Sequence, residues 1–134
     1  MSIASSIAVS GLSAAALRLQ VSASNVANTY SAGPLPGAAG GASFPGVYVP
    51  QSVDQVALSD GSVGASVTAV APASIPTFDP TASFANSSGM VAMPNVDPIN
   101  EAVQQLSARI SYAANLAVLK TDMQMTSALI NITA

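Results

Sequence analysis

Residues 97–131 read D-P-I-N-E-A-V-Q-Q-L-S-A-R-I-S-Y-A-A-N-L-A-V-L-K-T-D-M-Q-M-T-S-A-L-I-N, and this stretch decides the fold. Asp97 before Pro98 is typical of a helix N-cap with proline at the first helical position. Glu101 falls in the first turn, where the helix dipole favours a carboxylate. The stretch predicts a helix from residue 98 to about residue 131. Its apolar stripe comprises Ile99, Val103, Leu106, Ile110, Ala113 and Ala117, and then drifts to Tyr112, Leu116, Leu119, Met123 and Ile130.

This C-terminal helix is too long to be buried by the chain's own globule. At 1.5 Å per residue it measures about 50 Å, whereas a compact domain of this size has a radius of gyration of about 14 Å. We therefore expect it to lie against a second helix, and we expect the pair to expose alanine-rich apolar surface.

The second helix is predicted at the N-terminus, because residues 2–28 contain no proline and only one glycine, Gly11. That glycine weakens the helix by roughly 1 kcal/mol relative to alanine. Apolar residues again recur at helical spacing. They form two flanking stripes, Ile3, Ile7, Ala14, Leu17 and Val21 beside Ala8, Leu12, Ala15, Leu19 and Val26.

The middle of the chain holds all nine prolines, if Pro98 is included, and every glycine except Gly11. Val47–Val49 is β-prone, a weaker β stretch covers 51–58, and Asp60-Gly61 predicts a hairpin turn. Residues 63–71 then alternate between apolar and small or polar residues, as in a half-buried strand. The glycine- and proline-rich residues 33–43 predict a flexible loop.

The predicted fold class is therefore α+β. Long N- and C-terminal helices pair as a coiled coil, with a small β-rich insert between them. The corresponding segments are 1–30 for the N-terminal helix, 31–96 for the loop and β-rich insert, and 97–134 for the C-terminal helix.

Composition excludes several functions. The chain has three basic and six acidic residues and neither cysteine nor histidine, so we expect no nucleic-acid partner, no catalytic triad and no enzyme activity. Asp97 and Glu101 lie four residues apart, but capping and dipole effects explain both better than a metal site. We therefore expect no metal, no cofactor and no small-molecule ligand. No membrane span is predicted, and no basic signal-peptide start precedes Arg18.

Three segments resemble the flagellar axial proteins of bacteria, the family of rod, hook and filament-joining subunits. Residues 11–28, G-L-S-A-A-A-L-R-L-Q-V-S-A-S-N-V-A-N, resemble the family's N-terminal helix, which ends in S-N-x-A-N. Residues 78–97 end in G-M-V-A-M-P-N-V-D, and residues 107–121 read S-A-R-I-S-Y-A-A-N-L-A-V-L-K-T. The M-P-N-V-D block points to the proximal-rod type within this family.

The resemblance implies a structural subunit of the basal-body rod. Its terminal helices would polymerise into the shaft that transmits torque, and it would leave the cell through the type III flagellar export apparatus without a cleaved signal peptide. Its partners would be copies of itself, rod subunits of the FlgB, FlgF and FlgG types, and the rod base adaptor. One of those other axial subunits is the alternative identity. A cytoplasmic coiled-coil module or export chaperone, and an amphipathic membrane-lying protein, are further alternatives.

The sequence leaves two interpretations open for several residues. Asn25 and Asn28 either close the first helix locally or bond to a neighbouring subunit. Residues 93–96 form either a rigid entry to the second helix or an intersubunit contact. Tyr112 is either a core aromatic or an intersubunit anchor. The interface residues expected from the resemblance and the pattern are Leu12, Leu17, Leu19, Val21, Asn25, Ala27, Asn28, Met93, Pro94, Asn95, Val96, Asp97, Arg109, Tyr112, Asn115, Leu116 and Leu119.

The two cations of the second helix, Arg109 and Lys120, also have two readings. They pair with carboxylates of adjacent chains and set the register, or they lie on a solvated face. The scarcity of charge itself fits a subunit whose helices are covered by its neighbours. Because Arg18 is the only charged residue before Asp54, we expect the N-terminal helix to be the most enclosed part of the assembly.

Overall fold

A computed structural model describes residues 2–35 and 46–133. The predicted α+β class is confirmed, since two long helices flank a small β region. The predicted loop over 33–43 lies largely outside the described residues, and the division into segments 1–30, 31–96 and 97–134 stays a prediction. The elements are α1 (Ile3–Ala27), β1 (Gln51–Ala57), β2 (Val63–Ala69), β3 (Ser74–Phe78), β4 (Met90–Pro94) and α2 (Pro98–Thr133).

Both helices begin at side-chain caps. Ser2 Oγ accepts a hydrogen bond from Ser5 N at 3.0 Å at the start of α1. Asp97 Oδ1 accepts one from Ile99 N at 2.9 Å at the start of α2, as the Asp-Pro pair predicts. At the end of α1 the Asn28 side chain donates to Ser24 O at 2.9 Å, so Asn28 closes the helix locally.

The helices run antiparallel. Helix α1 has 25 residues and α2 has 36, or about 37 and 54 Å of helix. Ser2 lies beside Asp122, and Asn25 lies beside Glu101. The predicted pairing of the two helices is therefore present within the chain, and α2 extends beyond the start of α1.

The first hairpin pairs β1 with β2 from Gln51↔Ala69 to Ala57↔Val63. Its turn is the predicted one: Asp60 Oδ1 accepts from Ser62 N at 3.0 Å, and Gly61 adopts a φ of +80°. The prediction of β structure at Val47–Val49 is wrong. Strand β2 ends opposite Gln51, so no strand faces that segment, which instead crosses the end of α1.

The second hairpin was not predicted from sequence. Strands β3 and β4 pair from Ser74↔Pro94 to Phe78↔Met90, and Gly33 forms an isolated bridge to Ala92 on the other edge of β4. Met93 and Pro94 therefore belong to a strand, while Asn95 and Val96 form the short entry to α2. The prolines within both strands hid this hairpin, because proline argues against a strand assignment.

The core is small and made of small side chains. Its buried apolar residues are Ala8, Ala14, Ala15, Val21, Val91, Ala92 and Ala108. Within the described residues α1 alone is long and apolar enough to cross a bilayer by length and composition, with a mean hydropathy of 1.2. That apolar character comes from alanine together with isoleucine, valine and leucine, and α1 packs against both α2 and the β1–β2 hairpin.

Candidate assembly surfaces

The face of α2 that contacts α1 is polar or small rather than apolar. Its residues recur at seven-residue intervals, the spacing of a coiled-coil seam. They face small residues of α1 that recur at the same interval. The α2 set is Glu101, Ala108, Asn115 and Asp122, and the α1 set is Ala8, Ala15 and Ser22.

Close approach of the helices is visible at three levels of this seam. Gly11 lies against the Asn115 side chain, and a Cβ on residue 11 would come within 2.6 Å of Asn115 Oδ1. Arg18 donates to Ser107 Oγ at 3.4 Å. Ser22 Oγ donates to the backbone carbonyl of Glu101 at 3.1 Å. Small residues thus let the two helices approach closely, and polar residues join them by hydrogen bonds.

Asp122 closes the end of the seam at the start of α1. Its carboxylate accepts from Ser2 Oγ at 2.6 Å and from Ser5 Oγ. These hydroxyl bonds, from Ser2 and then Ser5, hold the pKa of Asp122 below its ordinary value of 3.8. A carboxylate beside a helix N-terminus is also favoured by the helix dipole.

Asn25 closes the opposite end of the seam, and only 1% of its surface is exposed. Its Nδ2 donates to Gln51 O and to Glu101 Oε1, each at 2.7 Å. Its Oδ1 accepts from Gln51 N and from Tyr48 Oη, each at 3.0 Å. The amide therefore uses all four of its hydrogen-bonding positions inside the chain, and it joins α1, β1 and α2. Neither reading of Asn25 from the sequence anticipated this role.

A polar pocket of about 310 Å³ lies beside Asn25. Arg18 of α1, Gln51 of β1 and Asp97 at the start of α2 are among its lining residues. Over residues 2–35 and 46–133 there is no group of three or more histidine, cysteine or acidic residues able to hold a metal ion. The pocket therefore offers hydrogen-bonding groups without a metal-binding cluster.

The apolar stripe of α2 faces away from α1. Exposed side chains run along the helix from its first turn to its last, although the pairing with α1 buries the polar seam. Apolar area of this extent, in contact with water, is typical of a surface that a partner covers. The exposed large apolar residues of α2 are Ile99, Val103, Leu106, Ile110, Tyr112, Leu116, Val118, Met123, Met125, Leu129, Ile130 and Ile132.

A groove between α1 and α2 opens onto this outer surface, and we call it the outer groove. It has a volume of about 730 Å³. Leu19 and Ala16 of α1 form one wall, and Leu106, Ile110 and Tyr112 of α2 form the other. Arg109 is the charged residue in its lining. The remaining lining residues are Ala15, Gln20, Ala23, Ala108 and Ala113.

The structure divides the expected interface residues into two groups. Val21, Asn25 and Pro94 are buried within the chain, and Asn115 is half-buried in the α1–α2 seam. The outward group includes Leu19, Ala27, Asp97, Arg109, Tyr112 and Leu116, which are exposed. Leu12, Leu17, Asn28, Met93, Asn95, Val96 and Leu119 are half-buried.

Sequence reasoning missed Tyr48, Ser5 and Asp122 as seam-closing residues. Tyr48 also lies 3.1 Å from Ser24 Oγ through its hydroxyl, so it contacts both the serine and the first asparagine of the S-N-x-A-N motif. One signal was available for Asp122, namely its seven-residue spacing from Asn115 and Ala108. A search for apolar stripes passes over such a seam because its members are polar or small.

The comparisons with known proteins agree with this geometry. Residues 87–132, which cover β4 and nearly all of α2, match the family described as flagellar basal body rod FlgEFG protein C-terminal. The C-terminal part of the chain, including α2, thus matches the C-terminal region of flagellar basal-body rod proteins, as the resemblance implied.

The particular family follows from full-length relatives. The chain is 37% identical over 123 residues to the flagellar basal-body rod protein FlgC of Salmonella typhimurium, covering 89% of this chain and 87% of that protein. It is 40% identical over 124 residues to FlgC of Yersinia enterocolitica, with the same coverage. It is 30% identical over 138 residues to FlgC of Agrobacterium fabrum, covering 98% and 94%. The chain belongs to the FlgC family of flagellar basal-body rod proteins.

Family membership establishes the general role. The chain is a structural subunit of the flagellar basal-body rod, and it assembles there with other rod components. This family is a structural one and not an enzyme family.

Proposed function

We propose that this subunit polymerises through the outward faces of its terminal helices to form the proximal rod, the shaft that transmits torque. The single observation that carries the proposal is the orientation of α2. Its polar and small residues face α1, and its apolar stripe faces outward along the whole helix. Within the shaft, adjacent subunits bury that stripe, and the hydrophobic gain of about 25 cal/mol per Å² drives assembly.

The two groups of expected interface residues then have different roles. Exposed residues such as Leu19, Arg109, Tyr112 and Leu116 contact neighbouring subunits. Val21, Asn25 and Asn115 support those contacts from within by fixing the helices and the β1–β2 hairpin relative to one another. Pro94 is buried at the end of β4, in the second hairpin. Met93 in β4 and Val96 at the entry to α2 take part where they are partly exposed.

The proposed neighbours are copies of this chain, rod subunits of the FlgB, FlgF and FlgG types, and the rod base adaptor. We further propose export through the type III flagellar apparatus without a cleaved signal peptide. Support for this comes from Ser2 and Ser5, whose hydroxyls bond to Asp122. Through these bonds the start of α1 contacts α2 within the folded subunit.

A pair of matched valine substitutions tests the polymerising role of α2. Val103 on α2 and Val56 on β1 are 58% and 60% exposed. Val103→Glu places a carboxylate on the face that assembly buries, where an uncompensated charge costs several kcal/mol. Val56→Glu makes the same change at the same exposure, away from the helices.

Both variants should fold with the circular dichroism of the wild-type chain. We expect Val103→Glu to be missing from purified basal bodies and to abolish motility, while Val56→Glu is incorporated. Normal incorporation of Val103→Glu would show that the outward face of α2 is not the polymerising surface.

A further inference from the structure

The C-terminal end of α2 extends beyond α1. Asp122 of α2 lies beside Ser2, the residue that caps α1. Residues 123–133 therefore continue past the start of α1 by about 16 Å of helix, and we call them the α2 extension. They contain no charged residue, and their exposed side chains include Met123, Met125 and Ile132.

The outer groove and the α2 extension match in polarity and in length. Apart from Arg109 and Gln20, the groove is lined by apolar side chains. Its α1 wall runs from Ala15 to Ala23, about 12 Å of helix, so it accommodates most of an extension about 16 Å long. An uncharged apolar helix leaves no buried charge when it is seated there.

Arg109 adds charge complementarity. The last turn of α2 contains no basic residue, although the final carbonyls of a helix lack intrahelical partners and carry partial negative charge. Over residues 2–35 and 46–133, Arg109 has no hydrogen-bond or ion-pair partner, and it lines the outer groove. Its guanidinium can therefore donate to the last carbonyls of a helix that ends in this groove.

The extension cannot reach the groove of its own chain. The α2 wall of the groove ends at Ala113, about 15 Å before Met123 on the same continuous helix. A helix does not fold back on itself, so the occupant must come from another molecule.

We propose that the α2 extension of one copy docks in the outer groove of a second copy. The two surfaces differ, so the contact is heterologous and leaves a vacant groove at one end and a vacant extension at the other. Copies therefore add head to tail. The inference rests on the proposed polymerisation, and it specifies which two surfaces meet.

Complementary variants of the full chain test this contact. Ile110→Glu disables the groove, and Met125→Glu disables the extension. Both side chains are largely exposed, at 63% and 56%, so both variants should keep the wild-type circular dichroism. In sedimentation velocity we expect a concentration-dependent series of oligomers for the wild-type chain and monomers for each variant. An equimolar mixture of the variants should form a dimer and nothing larger, because one intact groove and one intact extension remain.

A weak complex can be captured covalently, since the chain contains no cysteine. Ser127→Cys is added to the Ile110→Glu chain and Ala16→Cys to the Met125→Glu chain. Mild oxidation should then yield the mixed disulfide in excess over both homodimers. Arg109→Gln in the Met125→Glu chain should lower the yield of the complex roughly two- to fivefold.

A mixture with neither the dimer nor the excess mixed disulfide would overturn the groove–extension contact. So would larger oligomers in the mixture, because assembly would then use other surfaces. Either result leaves the general proposal in place if Val103→Glu is absent from basal bodies. Incorporation of Val103→Glu counts against the general proposal and not against this contact.

Discussion

Gly11 of α1 lies directly against the side chain of Asn115 of α2, with room for a hydrogen and not for a methyl group. A Cβ on residue 11 would approach Asn115 Oδ1 to 2.6 Å and Cγ to 2.7 Å. Asn115 is held in place because its Nδ2 donates to Ser111 O at 2.8 Å. The glycine that weakens α1 as an isolated helix is therefore what lets the two helices approach.

Gly11→Ala reverses the sign expected from helix propensity. Propensity alone predicts stabilisation by about 1 kcal/mol. We expect destabilisation by about 1–2 kcal/mol instead, because the methyl group must displace the Asn115 side chain from a packed seam. Urea unfolding of the monomeric chain measures the change in the free energy of unfolding.

The Asn115→Ala background supplies the control for that substitution. Removal of the amide opens space at residue 11, so Gly11→Ala should stabilise this background and follow helix propensity. The resulting coupling in the double-mutant cycle should be at least about 1 kcal/mol. If Gly11→Ala has the same effect in both backgrounds, the two residues are not in the contact described.

The two asparagines of the S-N-x-A-N motif should differ sharply in their contribution to stability. Asn25→Ala leaves Gln51 N, Gln51 O and Glu101 Oε1 without their amide partner, and we expect a loss of about 2–4 kcal/mol. Asn28→Ala removes two local bonds, one donated to Ser24 O and an exposed one accepted from Ser31 Oγ, and should cost about 1 kcal/mol. Guanidinium unfolding midpoints compare the two variants, and equal losses would contradict the central role of Asn25.

The stabilisation that Asp122 gives to the pairing of α1 and α2 should be lost at acid pH. Because its pKa in the folded chain lies below the ordinary 3.8, its stabilisation is present above that value and is lost as the pH falls through the folded pKa. Asp60 and Asp79 act in the same direction, since the Ser62 and Thr81 side chains lower their pKa values. Residual acid sensitivity is therefore expected after any one substitution.

Asp122→Asn tests this contribution. The variant should be less stable than the wild-type chain at pH 7, and its stability should fall less steeply below pH 3.8. Thermal unfolding followed between neutral pH and about pH 2 gives both slopes. The exposed Asp54 of β1, replaced by Asn, is the control that leaves the helix seam intact. Parallel curves for Asp122→Asn and wild type would refute the linkage.

Substitution of alanine for a glycine in the second hairpin should also destabilise the fold. Gly89 has a φ of +70°, and a Cβ there would lie 2.8 Å from Phe78 Cε2. We expect Gly89→Ala to cost about 1–2 kcal/mol because an L side chain disfavours this conformation. Gly46→Ala is the matched control, since nothing lies within 4 Å of its Cβ position. The difference between their unfolding free energies checks the expectation.

Local chemistry was enough to predict the helices and the first hairpin. Asp97-Pro98 set the start of α2, Asn28 marked the end of α1, and Asp60-Gly61 located the turn. These features depend on residues only a few positions apart, so they can be recognised in a single sequence. The second hairpin escaped because Pro76 and Pro94 lie in its strands, and strand pairing across residues 74–94 depends on partners distant in sequence.

The sequence by itself determined two long helices around a β-rich insert, a chain poor in charge, and its resemblance to the axial proteins. Spacing, capping and composition are properties of neighbouring residues, so no folded structure is needed to read them. Only the tertiary structure decided which face of each helix points inward. Small residues such as Gly11 and Ala108 let the two helices approach closely. Asn25 and Asp122 form their hydrogen bonds to the other helix only when the helices are paired in this way. The apolar stripe is consequently left outside, where a second subunit can bury it.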